Sequence, residues 1–244
     1  MRQKKKRLDV RVLELYPHLS RKQIQSFIIE GRVFVDGHPC TKAGTPVDES
    51  NEISVRAETP RFVCRAGFKI EKALEHFGVD VTGLTILDAG LSTGGFTDCL
   101  LQKGARKVYG IDVGYGQVHE KIRSDPRVVV LERTNLRHYE HTGDPIDIVT
   151  LDLSFISIIK VLPAIKKILP IGGKLITLIK PQFEAEKGEV PRGGVIRNEV
   201  QREQIVQSVV KNIELEGFSC QGVIPSPIEG TAGNIEFLAL FIRK

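Results

Sequence analysis

The chain has no run of about eighteen uncharged apolar residues, the length a helix needs to cross a membrane. Its most apolar region, residues 155–179, is interrupted by Lys160, Lys166, Lys167 and Lys174. The basic start, RQKKKR, is not followed by the apolar core of a secretion signal, because Asp9, Arg11 and Glu14 break up the next residues. The four cysteines (Cys40, Cys64, Cys99, Cys220) are widely spaced and form no C-x-x-C, and no histidine has a partner at metal-ligand spacing. These absences argue against a disulfide framework and a local metal site, and they fit reduced thiols in a cytosol. The expectation is a soluble cytoplasmic protein that uses no metal. An apolar fraction of 41% over 244 residues suffices for one full α/β domain and a small second one.

Residues 84–112, LTILDAGLSTGGFTDCLLQKGARKVYGID, read as strand, glycine-rich turn, helix and second strand. Two common phosphate-binding signatures are missing from it. A dinucleotide fingerprint, G-x-G-x-x-G, needs glycine two positions after Gly90, where Ser92 stands. A P-loop needs lysine after Gly95, where Phe96 stands. What is left is a turn through which backbone can approach a ligand, with Asp112 placed about twenty residues on to take ribose hydroxyls. A nucleoside with a charged tail and no phosphate fits, and S-adenosylmethionine is the obvious member of that class. Gly90, Ser92, Gly94 and Asp112 are the expected cofactor contacts, with Asn135 or Thr134 on the adenine side. The competing reading is an ordinary βαβ turn in which Asp112 caps a helix.

Charge is concentrated at one end. Residues 1–42 hold ten Lys/Arg against four Asp/Glu, a net of +6, so with +5 overall the remainder is near neutral at −1. A basic module beside a neutral domain suggests a polyanion as partner. Leu8, Val12 and Leu15 have helical spacing, ending near Tyr16-Pro17. Ser20 and Gln23 form a capping box for a second helix with Ile24, Phe27 and Ile28 on its buried stripe. Gly31 ends that helix; Val33–Val35 and Asp36-Gly37 read as strand and tight turn, and Val47 and Ile53–Val55 as return strands. The stretch RLDVRVLELYPHLSRKQIQSFIIEGRVFVDG resembles the S4 RNA-binding domain. That resemblance implies structured RNA as ligand, with Arg7, Arg21, Lys22, Arg32 and Lys42 as contacts.

After a polar connection at residues 56–60, Ile70, Ala73, Leu74 and Phe77 mark a helix stopped by Gly78. Lys69 lies off that stripe, so pattern alone makes it a solvated surface residue. Strands are expected at 127–131, 146–151, 174–179 and 235–241, and helices at 156–168 and 199–216. Strand alternating with helix predicts an α/β fold with a mostly parallel, doubly wound sheet. The expected divisions are 1–57 for the small α+β S4-like module, 58–64 for a linker and 65–244 for the catalytic domain. Ligands in such sheets sit at the carboxyl ends of strands. Asp112, Asn135, Asp152 and Lys180 stand at such ends, whereas Glu236 opens a last strand whose direction pattern does not set.

Taken together, CRAGFK, DAGLSTGGFTD, GIDVGYGQ, ERTNLR, LDLSFIS, LIKPQFE, RGGVIR and GNIEF resemble the TlyA (hemolysin A) family of ribosomal RNA methyltransferases along nearly the whole chain. The resemblance implies a Rossmann-like, class I, FtsJ-like catalytic domain that moves a methyl group from S-adenosylmethionine to a ribose 2′-hydroxyl, expected on a cytidine. It also implies a catalytic tetrad at Lys69, Asp152, Lys180 and Glu236, with Lys180 central. Two departures stand out: Leu91 replaces a small residue, which is expected to reshape the cofactor turn, and Ala66 and Phe68 replace a glycine and a leucine. Phe183 is either a base-stacking ring or a packing residue, and Arg192 and Arg197 are either RNA contacts or part of a solvated loop. Ribosomal RNA or a ribosomal subunit is the expected partner, with no membrane and no obligatory protein partner. Two other classes compete. One is an RNA-binding protein with a non-catalytic methyltransferase-like domain, against which the complete tetrad argues. The other is a membrane-active hemolysin, which would need an apolar or strongly amphipathic insertion segment that the sequence lacks.

Overall fold

The computed structural model describes residues 5–56, 61–186, 188–230 and 233–244. Arg2 and Lys4 of the basic start, and residues 57–60 of the polar connection, lie outside the described residues. The chain divides into two compact units, Met1–Arg61 and Phe62–Lys244.

In the first unit, β1 (Lys6–Arg7) leads into α1 (Leu8–Leu15) and α2 (Arg21–Ile29), followed by β2 (Val33–Val35), β3 (His38–Pro39), β4 (Pro46–Val47) and β5 (Ile53–Val55). The capping box forms at the start of α2: Gln23 N–H donates to Ser20 Oγ at 3.3 Å, and Ser20 N–H donates to Gln23 Oε1 at 2.8 Å. Asp36 and Gly37 both have positive φ, which matches the twist of a two-residue hairpin joining β2 to β3. Leu8, Val12, Ile24, Phe27, Ile28, Val33 and Val47 form the small core.

The second unit carries α3 (Ala66–Phe77), β6 (Thr85–Ala89), α4 (Gly95–Gln102), β7 (Lys107–Ile111), α5 (Glu120–Arg123) and β8 (Val128–Leu131). It continues through β9 (Ile148–Leu151), α6 (Leu162–Ile168), β10 (Lys174–Ile179), α7 (Pro181–Glu184), α8 (Glu199–Leu215), β11 (Phe218–Pro225) and β12 (Phe237–Arg243). Seven strands pair in the order β11-β12-β10-β9-β6-β7-β8. The five from β10 to β8 run parallel, while β12 is antiparallel to both β10 and β11.

Alternation along the strands explains the two layers of helices. Leu87, Val149, Leu175 and Phe241 pack on one face with α6 and α8, whereas Ile86, Ile148, Ile176 and Leu240 pack on the other with α3, α4 and α5. The sheet is thus the doubly wound one that alternating strands and helices predict.

Three expectations change. Strand β11 has no counterpart among the predicted strands: Gly222, a register shift between Cys220 and Gly222, and Pro225 obscure its period of two. The single helix expected over 156–168 is a short 3-10 turn at Ile158–Lys160 followed by α6, with Pro163 in the first turn of α6. Phe62, expected in a linker, is buried in the core of the second unit, and a β-carbon on Gly67 would collide with its ring.

Candidate active site

The chain runs outward from β6 through β7 to β8, then returns to lay β9 on the other side of β6. Strand order therefore reverses between β6 and β9, where open α/β sheets place their ligands. Gly90 follows β6 and Asp152 follows β9, and the two touch. Gly90 has φ +89°, and a β-carbon there would strike the carbonyl of Asp152. Only glycine lets these two strand ends meet so closely.

Two adjoining cavities open here and share Gly90, Ser92, Asp152, Ser154 and Phe155. The first has about 390 Å³ and is walled by Ile111, Leu136 and Val161, with Asp112, Thr134 and Asn135 on its polar side. Both oxygens of Asp112 accept backbone hydrogen bonds, from Ser92 N–H at 2.7 Å and Gly114 N–H at 2.7 Å. These bonds hold the carboxylate in place, and its remaining lone pairs suit a ribose diol. Asn135 lines the cavity, but its side-chain oxygen accepts from Arg137 N–H at 3.0 Å and caps the turn that follows. The volume, the apolar walls and the lack of a cationic phosphate cradle fit a nucleoside with an uncharged ribose edge.

Gly94 is not part of this lining. It opens α4 with φ +97°, and a β-carbon would meet Ile122 at 2.8 Å, so glycine is required there by the fold rather than by a ligand. Leu91 likewise does not reshape the cavity. Its side chain is buried and fills the space above the bare Cα of Gly110 in β7, where an added β-carbon would be 2.6 Å away.

The second cavity, about 700 Å³, gathers Lys69, Asp152, Lys180 and Glu236 from four separate elements. Because β12 is antiparallel to β10 and Phe237 pairs with Ile179, Glu236 emerges at the end of the sheet where Lys180 stands. Lys180 Nζ lies 2.6 Å from Asp152 Oδ1 and donates to Ser154 Oγ at 3.0 Å. Lys69 Nζ donates to Glu236 Oε2 at 2.6 Å. Lys69 is buried, which overturns the surface reading taken from helical pattern. Lys69 lies on the side of the first turn of α3 that faces the sheet end, while Phe68 beside it is exposed, and the carboxylate at Glu236 makes burial of the ammonium tolerable.

Three residues of this region were not legible in the sequence. Ser154 is the second oxygen on Lys180. Phe155 is 89% exposed, has φ +64° and stands 4.9 Å from the ring of Phe183, on the rim of both cavities. So exposed an apolar ring, held out in left-handed backbone, adds little to the core. Asp88 is fully buried below the turn and accepts from Thr97 Oγ1 at 2.7 Å and Thr150 Oγ1 at 2.9 Å, tying β6 to α4 and β9.

Burial pushes Asp88 up to about 6; the two threonine hydroxyls oppose this, and the charge of Asp152 adds to it. A folded value above the unfolded one means that the stability is present at acid pH and lost as pH rises toward 6 and beyond. The shift from 3.8 corresponds to about 3 kcal/mol. Asp88→Asn should therefore gain thermal stability relative to the wild type between pH 4.5 and 7. Melting curves of both proteins across that range check it; a pH-independent difference would show that Asp88 does not titrate there.

In the first unit, Arg21 and Lys22 are exposed in the first turn of α2, and Lys42 is exposed on a loop. Arg7 is exposed but paired with Asp9 at 2.9 Å. Arg32 packs over the ring of Phe27 at 4.5 Å and donates to the Arg56 carbonyl at 3.1 Å, so its guanidinium takes part in the module's own structure. Among the described residues, no group of His, Cys, Asp and Glu could hold a metal ion, and no helix is long and apolar enough to cross a membrane.

Sequence comparison agrees with this architecture. The FtsJ-like methyltransferase family matches residues 62–243, and the S4 domain matches residues 6–53. Hemolysin A of Brachyspira hyodysenteriae is 45% identical over 91% of this chain and 94% of its own length. The 16S/23S rRNA (cytidine-2'-O)-methyltransferase TlyA of Mycobacterium tuberculosis is 41% identical over 97% of this chain and 89% of its own length. A solved SAM-dependent methyltransferase from Aquifex aeolicus, 22% identical, shares the fold with a TM-score of 0.53 over 72% of this chain and 90% of its own. The chain is thus a methyltransferase of the TlyA (hemolysin A) family, an S4 domain followed by an FtsJ-like catalytic domain.

Proposed function

We propose that this protein methylates the ribose 2′-hydroxyl of ribosomal RNA, on a cytidine, with S-adenosylmethionine as the methyl donor. The observation that carries this reading is the pair of adjoining cavities, one shaped for a nucleoside and the other built around two lysines and two acids. Ser92, Asp112 and Asn135 border the cofactor's place, with Gly90 giving it backbone access. When bound there, S-adenosylmethionine supplies an electrophilic methyl carbon on a sulfonium.

The chain's own residues supply the rest. The two cavities share a wall, which favours in-line approach of the ribose oxygen to the methyl carbon. Lys180 orients that oxygen and takes its proton as the C–O bond forms and the C–S bond breaks. As the free amine, Lys180 has two N–H donors and one lone pair; Asp152 and Ser154 take the two donors, leaving the lone pair for the hydroxyl proton. Lys69, fixed by Glu236, adds positive charge to the same cavity, suited to an RNA phosphate. Phe155 and Phe183 form an aromatic face of the kind on which an unstacked base rests. The exposed Arg21, Lys22 and Lys42 of the S4 domain fit RNA phosphates, and Arg7 would join them by exchanging Asp9 for phosphate.

The relative named for 16S/23S cytidine-2′-O methylation supports cytidine and ribosomal RNA as the substrate class. The test is transfer of tritium from methyl-labelled S-adenosylmethionine to isolated ribosomal subunits that lack the modification. Label in the RNA of one or both subunits is expected. A protein that binds the cofactor but labels neither subunit would be a binding protein or would act on another RNA.

A further inference from the structure

The tetrad cavity has one wall made of a loop. Gly193 and Gly194 line it, both with positive φ, and Gly194 N–H donates to the Pro191 carbonyl at 3.0 Å to close a turn. A β-carbon on either glycine would meet nothing within 4 Å, so close packing around the glycines does not hold the turn in place. Instead, one buried side chain holds it. Asn234, 3% exposed, donates from Nδ2 to the Gly194 carbonyl at 2.8 Å and accepts at Oδ1 from Ile196 N–H at 3.1 Å. Both polar ends of the amide are thus satisfied by the same short segment. Ile196 is itself buried in the core and anchors the far side of the turn.

The other side of this clasp is catalytic. The Asn234 carbonyl accepts from Gly230 N–H at 2.9 Å, and two residues later the chain presents Glu236 to Lys69. Gly230 leaves room for that carboxylate: a β-carbon there would be 2.6 Å from Glu236 Oε1. Asn234 lines the tetrad cavity but not the cofactor cavity.

We propose that Asn234 is a positioning residue for the RNA substrate: it locks the 191–197 turn against the tetrad cavity before RNA arrives. The proposal rests on the RNA methyltransferase reading above. A turn released from Asn234 has to be ordered as RNA binds, which weakens RNA capture without touching the cofactor.

The test compares wild type, Asn234→Ala and Asn234→Asp. The aspartate keeps the acceptor for Ile196 N–H but sets a second oxygen against the Gly194 carbonyl. Amide hydrogen exchange reads the clasp directly, and steady-state kinetics with ribosomal subunits read its effect on substrate. For Asn234→Ala, exchange across 191–197 should accelerate, and the KM for RNA should rise about tenfold, the scale of two ordinary hydrogen bonds. The kcat and the affinity for S-adenosylmethionine should change by less than about threefold, as the Asn234 amide contacts neither cavity's reacting groups. Asn234→Asp should be at least as impaired as Asn234→Ala, because the buried oxygen facing the Gly194 carbonyl repels it. Unchanged exchange, faster exchange with an unmoved KM, or a parallel loss of cofactor affinity would each overturn the proposal. A wild type that labels no RNA would instead defeat the functional reading, and the exchange data would still report whether Asn234 holds the turn.

Discussion

Lys180→Ala is expected to lower the rate of methyl transfer roughly a thousand-fold, the usual scale for a positioned proton acceptor, with cofactor affinity little changed. The lysine emerges at the end of β10 and touches Asp152 and Ser154, but it lines only the tetrad cavity. The nucleoside cavity keeps its whole lining when the side chain is removed. Lys180→Arg is the sharper variant, because a guanidinium can donate hydrogen bonds and place positive charge there but cannot take a proton. It should be nearly as inactive as alanine. Single-turnover label transfer and equilibrium titration with S-adenosylmethionine separate the two quantities. Near-normal transfer by the arginine variant would reduce Lys180 to an electrostatic role, and loss of cofactor binding in a folded variant would place it in the wrong cavity.

Glu236→Ala should act on stability as well as on chemistry. The Lys69–Glu236 pair is 2.6 Å long with side chains only 11% and 4% exposed, so deleting the acid leaves a buried ammonium without its partner. Removing one member of such a pair costs about 3–5 kcal/mol, seen as a fall in melting temperature of roughly 10 °C for a domain of this size. Replacing both members by apolar residues, Lys69→Met with Glu236→Leu, should restore most of that stability, since the desolvation of both charges is then avoided. The double variant should remain inactive. Thermal melts and label transfer on the three proteins check this. A double variant as unstable as Glu236→Ala would show that the pair does more than neutralise itself. An active double variant would remove both residues from the chemistry.

How much of this was legible beforehand depends on the range of the forces involved. The first unit was read almost residue by residue, because a capping box, a glycine stop and an Asp-Gly turn act within four or five positions of chain. The parallel core strands were legible for a related reason: both faces are covered, so β6, β7, β9 and β10 are nearly continuous apolar runs. Lys69 shows where such reading ends. Its environment is set by Glu236, 167 residues away, and no helical period contains that information; only the resemblance to a family singled it out. Leu91 is the reverse case, since its size mattered only if its side chain faced the ligand, and Gly110 gives it a place in the core instead. Ser154, Phe155 and Asn234 share one reason for being missed: each works from irregular backbone beside the site, where neither period applies.

The account is tested most directly by the chemical identity of the product. Ribosomal RNA labelled by this protein with methyl-tritiated S-adenosylmethionine should be digested to nucleosides and separated. The prediction is label in 2′-O-methylcytidine, which locates the methyl on a ribose oxygen and the tetrad at the reaction. Label on a base nitrogen or carbon would contradict it, leaving the cofactor cavity intact but assigning Lys180 and its partners to a different acceptor.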